Sequence, residues 1–165
     1  MSKTPIDVIA ELSKTSSAAA SPSATKVRRR SADALAGVPL FSGLSRRHLN
    51  QLAEATDEVR FRRGSTVIRE GDLGETLFVI LEGEAEVTRG GKTLTRLGPG
   101  DFFGEISLVD RGPRTASVAA ETPLVTVRLF RREFVRLART EPSLVAKVLL
   151  TLARRLRSAE ASLTG

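Results

Sequence analysis

Glu105 and Arg114 are the residues whose types and spacing could do chemistry. Glu105 directly follows a glycine, and Arg114 comes nine residues later, just ahead of a strand-like run. An arginine presents a planar fork of donors that fits phosphate oxygens. A carboxylate accepts hydrogen bonds from a hydroxyl. A turn or short helix between the two would expose main-chain N–H groups, which hold anions. A ligand carrying both a phosphate and a free hydroxyl would match this pair. A structural Glu–Arg ion pair beside a loop accounts for the same residues equally well, so the pair alone leaves both readings open.

Composition narrows the alternatives. The chain has 165 residues, no Cys and one His, at position 48. Without Cys there is no disulfide, thiolate nucleophile, Cys-ligated zinc or iron–sulfur cluster. His48 alone cannot make a multi-histidine metal site of the kind a jelly-roll metalloenzyme needs. It lies on an expected helix with no acidic partner or nucleophile evident beside it, so it reads as a packing residue rather than a catalytic base. No apolar run approaches the ~20 residues of a membrane helix. The chain has no Trp or Tyr, which argues against an aromatic platform for single-stranded bases. Gly91-Lys92-Thr93 imitates the end of a P-loop, but the position required to be its first glycine is Glu86. That segment reads as a hairpin turn.

The elements that must position Glu105 and Arg114 follow from periodicity. Ser45 caps a helix running to about Ala55, with Leu49, Leu52 and Ala53 on one face. From about 59 to 130 the pattern is of short strands broken by glycines. Thr76 to Leu81 is one strand, Glu84 to Arg89 alternates, Gly90-Gly91 is a tight turn and Lys92 to Leu97 returns. Val118 and Val125 to Val127 mark further strands. Short strands at regular spacing predict a mostly β domain with flanking helices, most simply a double-sheet jelly roll. Helical spacing returns at about 131–162. Phe134, Val135, Leu137 and Ala138 form one short helix, Glu141-Pro142 interrupts, and Ser143 starts a last helix. That last helix carries Leu144, Val145, Val148, Leu149, Leu152 and Leu156 on an apolar face.

Residues 1–36 read as a tail and 37–165 as the domain. Thr15 to Thr25 is nearly all Ser, Ala, Thr and Pro, too polar and small to offset the cost of ordering, so disorder is expected there. Lys26-Val27-Arg28-Arg29-Arg30 reads as a solvated basic linker, with a phosphate or acidic-partner clamp as the sharper alternative.

The stretch from Gly98 to Val118 resembles the phosphate-binding cassette of cyclic nucleotide-binding domains. This family includes bacterial catabolite-activator-type regulators, cyclic-nucleotide-dependent kinases and gated channels. Phe103-Gly104-Glu105-Ile106-Ser107-Leu108 fits the family's F-G-E-x-x-L core, and Pro113-Arg114-Thr115-Ala116 fits its end. Ile68 to Asp72, Leu77 to Gly83 and Leu97 to Asp101 resemble the preceding turn, strand and lead-in. The resemblance spans roughly Val38 to Ala161.

What the resemblance implies is a double-stranded β-helix with C-terminal helices and a non-enzymatic, ligand-binding role. Glu105 would bind the ribose 2′-hydroxyl and Arg114 the cyclic phosphate. Main-chain N–H groups about Ile106, Ser107, Thr115 and Ala116 would complete the cradle, with Gly104 permitting close approach. Leu97 would line the pocket. The C-terminal helix would close over the base, with Arg155 and Ala159 as base contacts. Ser107 replaces an alanine common in relatives, which a main-chain donor tolerates. Thr115 does not choose the base, and cyclic AMP is expected over cyclic GMP as the ligand, with no cofactor or metal. No helix-turn-helix is expected after a helix that runs to Gly165, so DNA binding is not expected, and weak homodimerisation is expected at most. The expected role is a stand-alone cytoplasmic sensor that acts by ligand-biased movement of its last helices on an effector protein, with no membrane partner. The alternatives are a ligand-free scaffold descended from such a sensor and a basic-surface nucleic-acid-associated regulator.

Overall fold

The computed structural model describes residues 25–27, 32–106 and 111–164. The polar run from Thr15 to Ala24, Arg28 to Arg30 of the basic cluster, and Ser107 lie outside the described residues. The chain order is β1 (Thr25–Val27), α1 (Ala32–Ala36), a 3-10 turn (Pro39–Phe41), α2 (Arg46–Ala55), β2 (Asp57–Phe61), β3 (Thr66–Ile68), β4 (Thr76–Glu82), β5 (Ala85–Arg89), β6 (Lys92–Leu97), β7 (Phe102–Phe103), β8 (Ser117–Ala120), β9 (Leu124–Phe130), α3 (Arg131–Thr140) and α4 (Pro142–Thr164).

The strands pair antiparallel in two sheets, one ordered β1-β2-β9-β4-β7 and the other β3-β8-β5-β6. This is a jelly roll with C-terminal helices. Strand β4 shows why one run of the sequence is apolar without interruption. Successive side chains of a strand point to opposite faces, and here both faces are covered. Leu77 and Val79 join the cluster under the helices, while Phe78 and Ile80 join the cluster between the sheets. Phe103 stacks on Phe78 with ring centres 5.2 Å apart, which fixes the chain immediately ahead of Gly104 and Glu105.

The helices pack on the five-stranded sheet. Ser45 caps α2 as its position predicts, its Oγ accepting from the His48 N–H at 3.2 Å. His48 does have an acidic partner: its Nδ1 lies 2.6 Å from Glu141 Oε1. That contact joins α2 to the α3–α4 junction, which spacing along the sequence could not reveal. Pro142 is the first residue of α4, one position before the expected start, and its missing N–H is no loss there. Lys147 Nζ donates to the Ser42 carbonyl and, at 2.9 Å, to Ser42 Oγ, holding α4 on the 3-10 turn.

Two sequence expectations need correction. The packed body begins before residue 37: β1 pairs with β2, and α1 buries Ala32 and Leu35 in the helix-side core. A five-residue helix is too short to be seen by periodicity. The apolar face of α4 is only half used. Leu144 and Val148 are buried and Leu152 packs partly, but Leu149 and Leu156 are 58% and 61% exposed.

Candidate functional site

Arg114 is placed by the main chain on either side of it. Its N–H donates to the Asp72 carbonyl at 2.8 Å, and its own carbonyl accepts from the Gly71 N–H at 2.8 Å. The Glu70-Gly71-Asp72 turn therefore grips Arg114 as a neighbouring strand would. The side chain then runs inward and is 5% exposed. Its Nη1 donates to the Gly104 carbonyl at 3.1 Å, and its Nη2 donates to the carbonyl and Oγ1 of Thr76, each at 3.0 Å. Two glycines make room for the guanidinium. A Cβ at Gly74 would sit 2.5 Å from Nη2. At Gly104, where φ is +88°, a Cβ would sit 2.8 Å from Nη1 and 2.6 Å from the Thr76 carbonyl oxygen.

The electrostatics of this position are unusual for a structural arginine. Burial pulls the guanidinium below its ordinary pKa, and the charges of Glu105 and then Asp72 pull it back. Among the described residues its hydrogen-bond acceptors are all neutral oxygens. A buried cation whose hydrogen bonds go to neutral oxygens is costly, and an anion brought to it would be strongly favoured.

Glu105 opens a helical turn just after Gly104 and is 4% exposed. Arg155, from α4, covers it. Arg155 Nη1 donates to Glu105 Oε1 and Nη2 donates to the Phe102 carbonyl. The guanidinium carbon stands 5.1 Å over the centre of the Phe102 ring. Beyond Leu152, α4 is thus tied to the sheet by Arg155, which lands on the carboxylate nine residues before Arg114.

The remaining sequence-derived residues are spread around these anchors. Gly104 lies between the two anchors, and Ile106 is exposed on the same turn. Thr115 is exposed, and its carbonyl accepts from Arg89 Nε at 2.8 Å, while Ala116 leads into β8. Leu97 is buried in the cluster between the sheets. Ala159 is exposed one turn beyond Arg155. Arg155, a base contact by resemblance, sits on Glu105 in the ligand-free chain. Thr76, Gly74 and Phe102 escaped the sequence reading. Gly74, close behind the Gly71 turn, was the one visible hint. Thr76 and Phe102 become neighbours of the site only through the pairing of β4 with β7.

Such a site can take an anion at Arg114 and a hydroxyl donor at Glu105. Residues 58–141 match the family model of the cyclic nucleotide-binding domain. The chain belongs to this family. Among curated proteins, the domain is 36% identical over 132 residues to the cyclic AMP receptor protein of Thermus thermophilus, covering 77% of this chain and 61% of that one. It is 37% identical over 139 residues to the cAMP-dependent protein kinase regulatory subunit of Schizosaccharomyces pombe, covering 83% of this chain and 34% of that one. The chain therefore spans less than two thirds of either relative. Among solved structures, the Thermus thermophilus catabolite activator protein superposes with a TM-score of 0.68 at 35% identity, over 76% of this chain and 62% of that one. These relatives are regulators rather than enzymes. Among the described residues, no helix is long and apolar enough to cross a membrane.

Proposed function

We propose that this cyclic nucleotide-binding domain is a non-catalytic cytoplasmic sensor of cyclic AMP, and that its ligand acts by loosening α4. The observation that carries the reading is the buried Arg114 guanidinium, which among the described residues has only neutral acceptors and stands near the buried Glu105 carboxylate. In this reading Arg114 takes the cyclic phosphate and Glu105 the ribose 2′-hydroxyl. Main-chain N–H groups of Ile106, Ser107, Thr115 and Ala116 complete the cradle. Cyclic AMP is preferred to cyclic GMP because the relatives are named for cyclic AMP.

The coupling follows from Arg155. A hydroxyl that donates to Glu105 competes with Arg155 for that carboxylate. Weakening this contact frees the distal half of α4, which has few buried contacts beyond Leu152. A switch needs a ligand that binds its two states unequally, and a single charged contact supplies that difference. The exposed leucines of α4 then meet an effector or, weakly, a second copy.

The test is calorimetric titration of the whole chain with cyclic AMP and cyclic GMP, alongside hydrogen exchange of α4. Saturable cyclic AMP binding with faster exchange after Leu152 supports the reading. Binding without any change in exchange removes the switch and keeps the receptor. No binding of either nucleotide leaves the Glu105–Arg155 pair as a static clamp and the domain as a scaffold.

A further inference from the structure

A strongly basic cleft runs alongside α3. Strand β9 runs into α3 without a linker, and the first residues of α3 share a cleft with Arg111. Arg131, Arg132, Arg136 and Arg139 of α3, with Arg111 and Glu75, line a cleft of about 570 Å³ whose one apolar side chain among the described residues is Val135. Among the described residues, five guanidinium groups share it with one carboxylate.

Folding does not account for this arrangement. Arg132, Arg136 and Arg139 are exposed and repeat at a spacing of four and then three residues, which puts them on one helical face. Like charges so placed oppose the helix that carries them. Glu133 offsets part of this, lying 3.5 Å from Arg132 and 3.4 Å from Arg136. The helix is held by Phe134 and Leu137 on its opposite, buried side, so the arginines are not needed for packing. Arg111 adds an independent sign. It is the one non-glycine residue at positive φ among the described residues, at 57°. A side chain there strains the backbone, and Arg111 lines the wall facing α3.

The chemistry of the walls selects the occupant. Guanidinium forks recognise carboxylate and phosphate oxygens, so the occupant carries several of them. A duplex is recognised by an element that enters its groove, not by a cleft that would have to enclose it. A single strand calls for aromatic surfaces on which bases stack, and among the described residues no aromatic side chain lines this cleft. One valine is too little for a lipid tail. An extended acidic peptide fits both the size and the charge. We propose that the α3 cleft docks an acidic segment of a partner protein through its side-chain carboxylate or phosphate groups. The cleft shares no residue with the proposed nucleotide anchors, so this inference stands whether or not the nucleotide is bound.

The test is fluorescence polarisation with labelled octaglutamate, a Gly-Ser peptide carrying phosphoserines, the same peptide unphosphorylated, and single-stranded and duplex oligonucleotides of matched charge. The full chain should bind the acidic probes, more weakly as salt rises, and comparison of the carboxylate and phosphate peptides shows which group is preferred. The double variant Arg132→Ser with Arg136→Ser should weaken that binding by about tenfold or more. Arg62→Ser with Arg63→Ser, which removes equal exposed charge elsewhere, should not. Cyclic AMP titration should be alike in both variants, and circular dichroism should show both folded. No binding of either acidic peptide at low salt, equal losses in the two double variants, or tighter binding of an oligonucleotide would each overturn the proposal.

Discussion

Replacing Arg114 with methionine distinguishes an anion receptor from an internal strut. Methionine keeps much of the buried stem and removes the charge. In the folded chain the guanidinium is held by the neutral oxygens of Gly104 and Thr76. Hydrogen bonds from a charged donor contribute about 1.5–3 kcal/mol each, but they are opposed by several kcal/mol of desolvation. Methionine leaves the Thr76 and Gly104 oxygens without their donor, so the variant should stay folded and lose about 1–3 kcal/mol in urea denaturation. Its ligand affinity should not survive. Two charge-assisted bonds to a cyclic phosphate contribute about 3–6 kcal/mol together, roughly two to four orders of magnitude in Kd. Calorimetry with cyclic AMP measures that loss directly. A stability loss above about 3 kcal/mol would mark Arg114 as structural. Cyclic AMP affinity retained to within about tenfold, or 1.4 kcal/mol, would refute the phosphate role.

Further variants probe the surroundings. Gly74→Ala puts a methyl group 2.5 Å from Arg114 Nη2 at a position without positive φ, so it should weaken cyclic AMP by about tenfold or more while the fold stays intact; unchanged affinity would mean the guanidinium need not sit where it does. Arg155→Ala should speed hydrogen exchange after Leu152 in the ligand-free chain and tighten cyclic AMP by up to about tenfold, the worth of one partly exposed charged contact; weaker binding would make Arg155 a ligand contact instead of a competitor. Leu77→Ala, at a fully buried position, should cost about 3 kcal/mol in urea denaturation. Leu149→Glu with Leu156→Glu should abolish any concentration-dependent dimer seen by sedimentation equilibrium, and a dimer that persists in this variant would place self-association elsewhere.

Much of the fold is legible because local signals and burial agree. The Ser45 cap, the Gly90-Gly91 turn and the uninterrupted apolar run of β4 each carry their own physical reason, and each lies where that reason puts it. Elements that depend on partners are hidden. The two residues of β7 form a strand only because β4 lies beside them, and α1 holds its shape because Leu35 reaches the core. The site divides in the same way. Glu105 and Arg114 announce themselves by type and spacing, but whether they form an ion pair could not be decided from sequence. The structure answers through Arg155 and Thr76, which stand 50 residues after Glu105 and 38 residues before Arg114. No spacing rule connects positions that far apart.

The two arginines nearest the carboxylate are held in different ways, and the difference fixes which of them can respond to a ligand. Arg114 is bound through its own N–H and carbonyl to the Gly71 turn, and its guanidinium is enclosed by Gly74, Gly104 and Thr76. Moving it means opening the sandwich. Arg155 arrives from a helix whose buried residues, Leu144 and Val148, lie about three and two turns earlier. Beyond Leu152 the helix offers mainly exposed side chains to solvent, so the Glu105 and Phe102 contacts of Arg155 are its principal tether there. A ligand seated between the anchors would meet a fixed cation on one side and a releasable one on the other. Binding energy gained at Arg114 can then be spent at Glu105, and the helix end moves because the weaker attachment yields first.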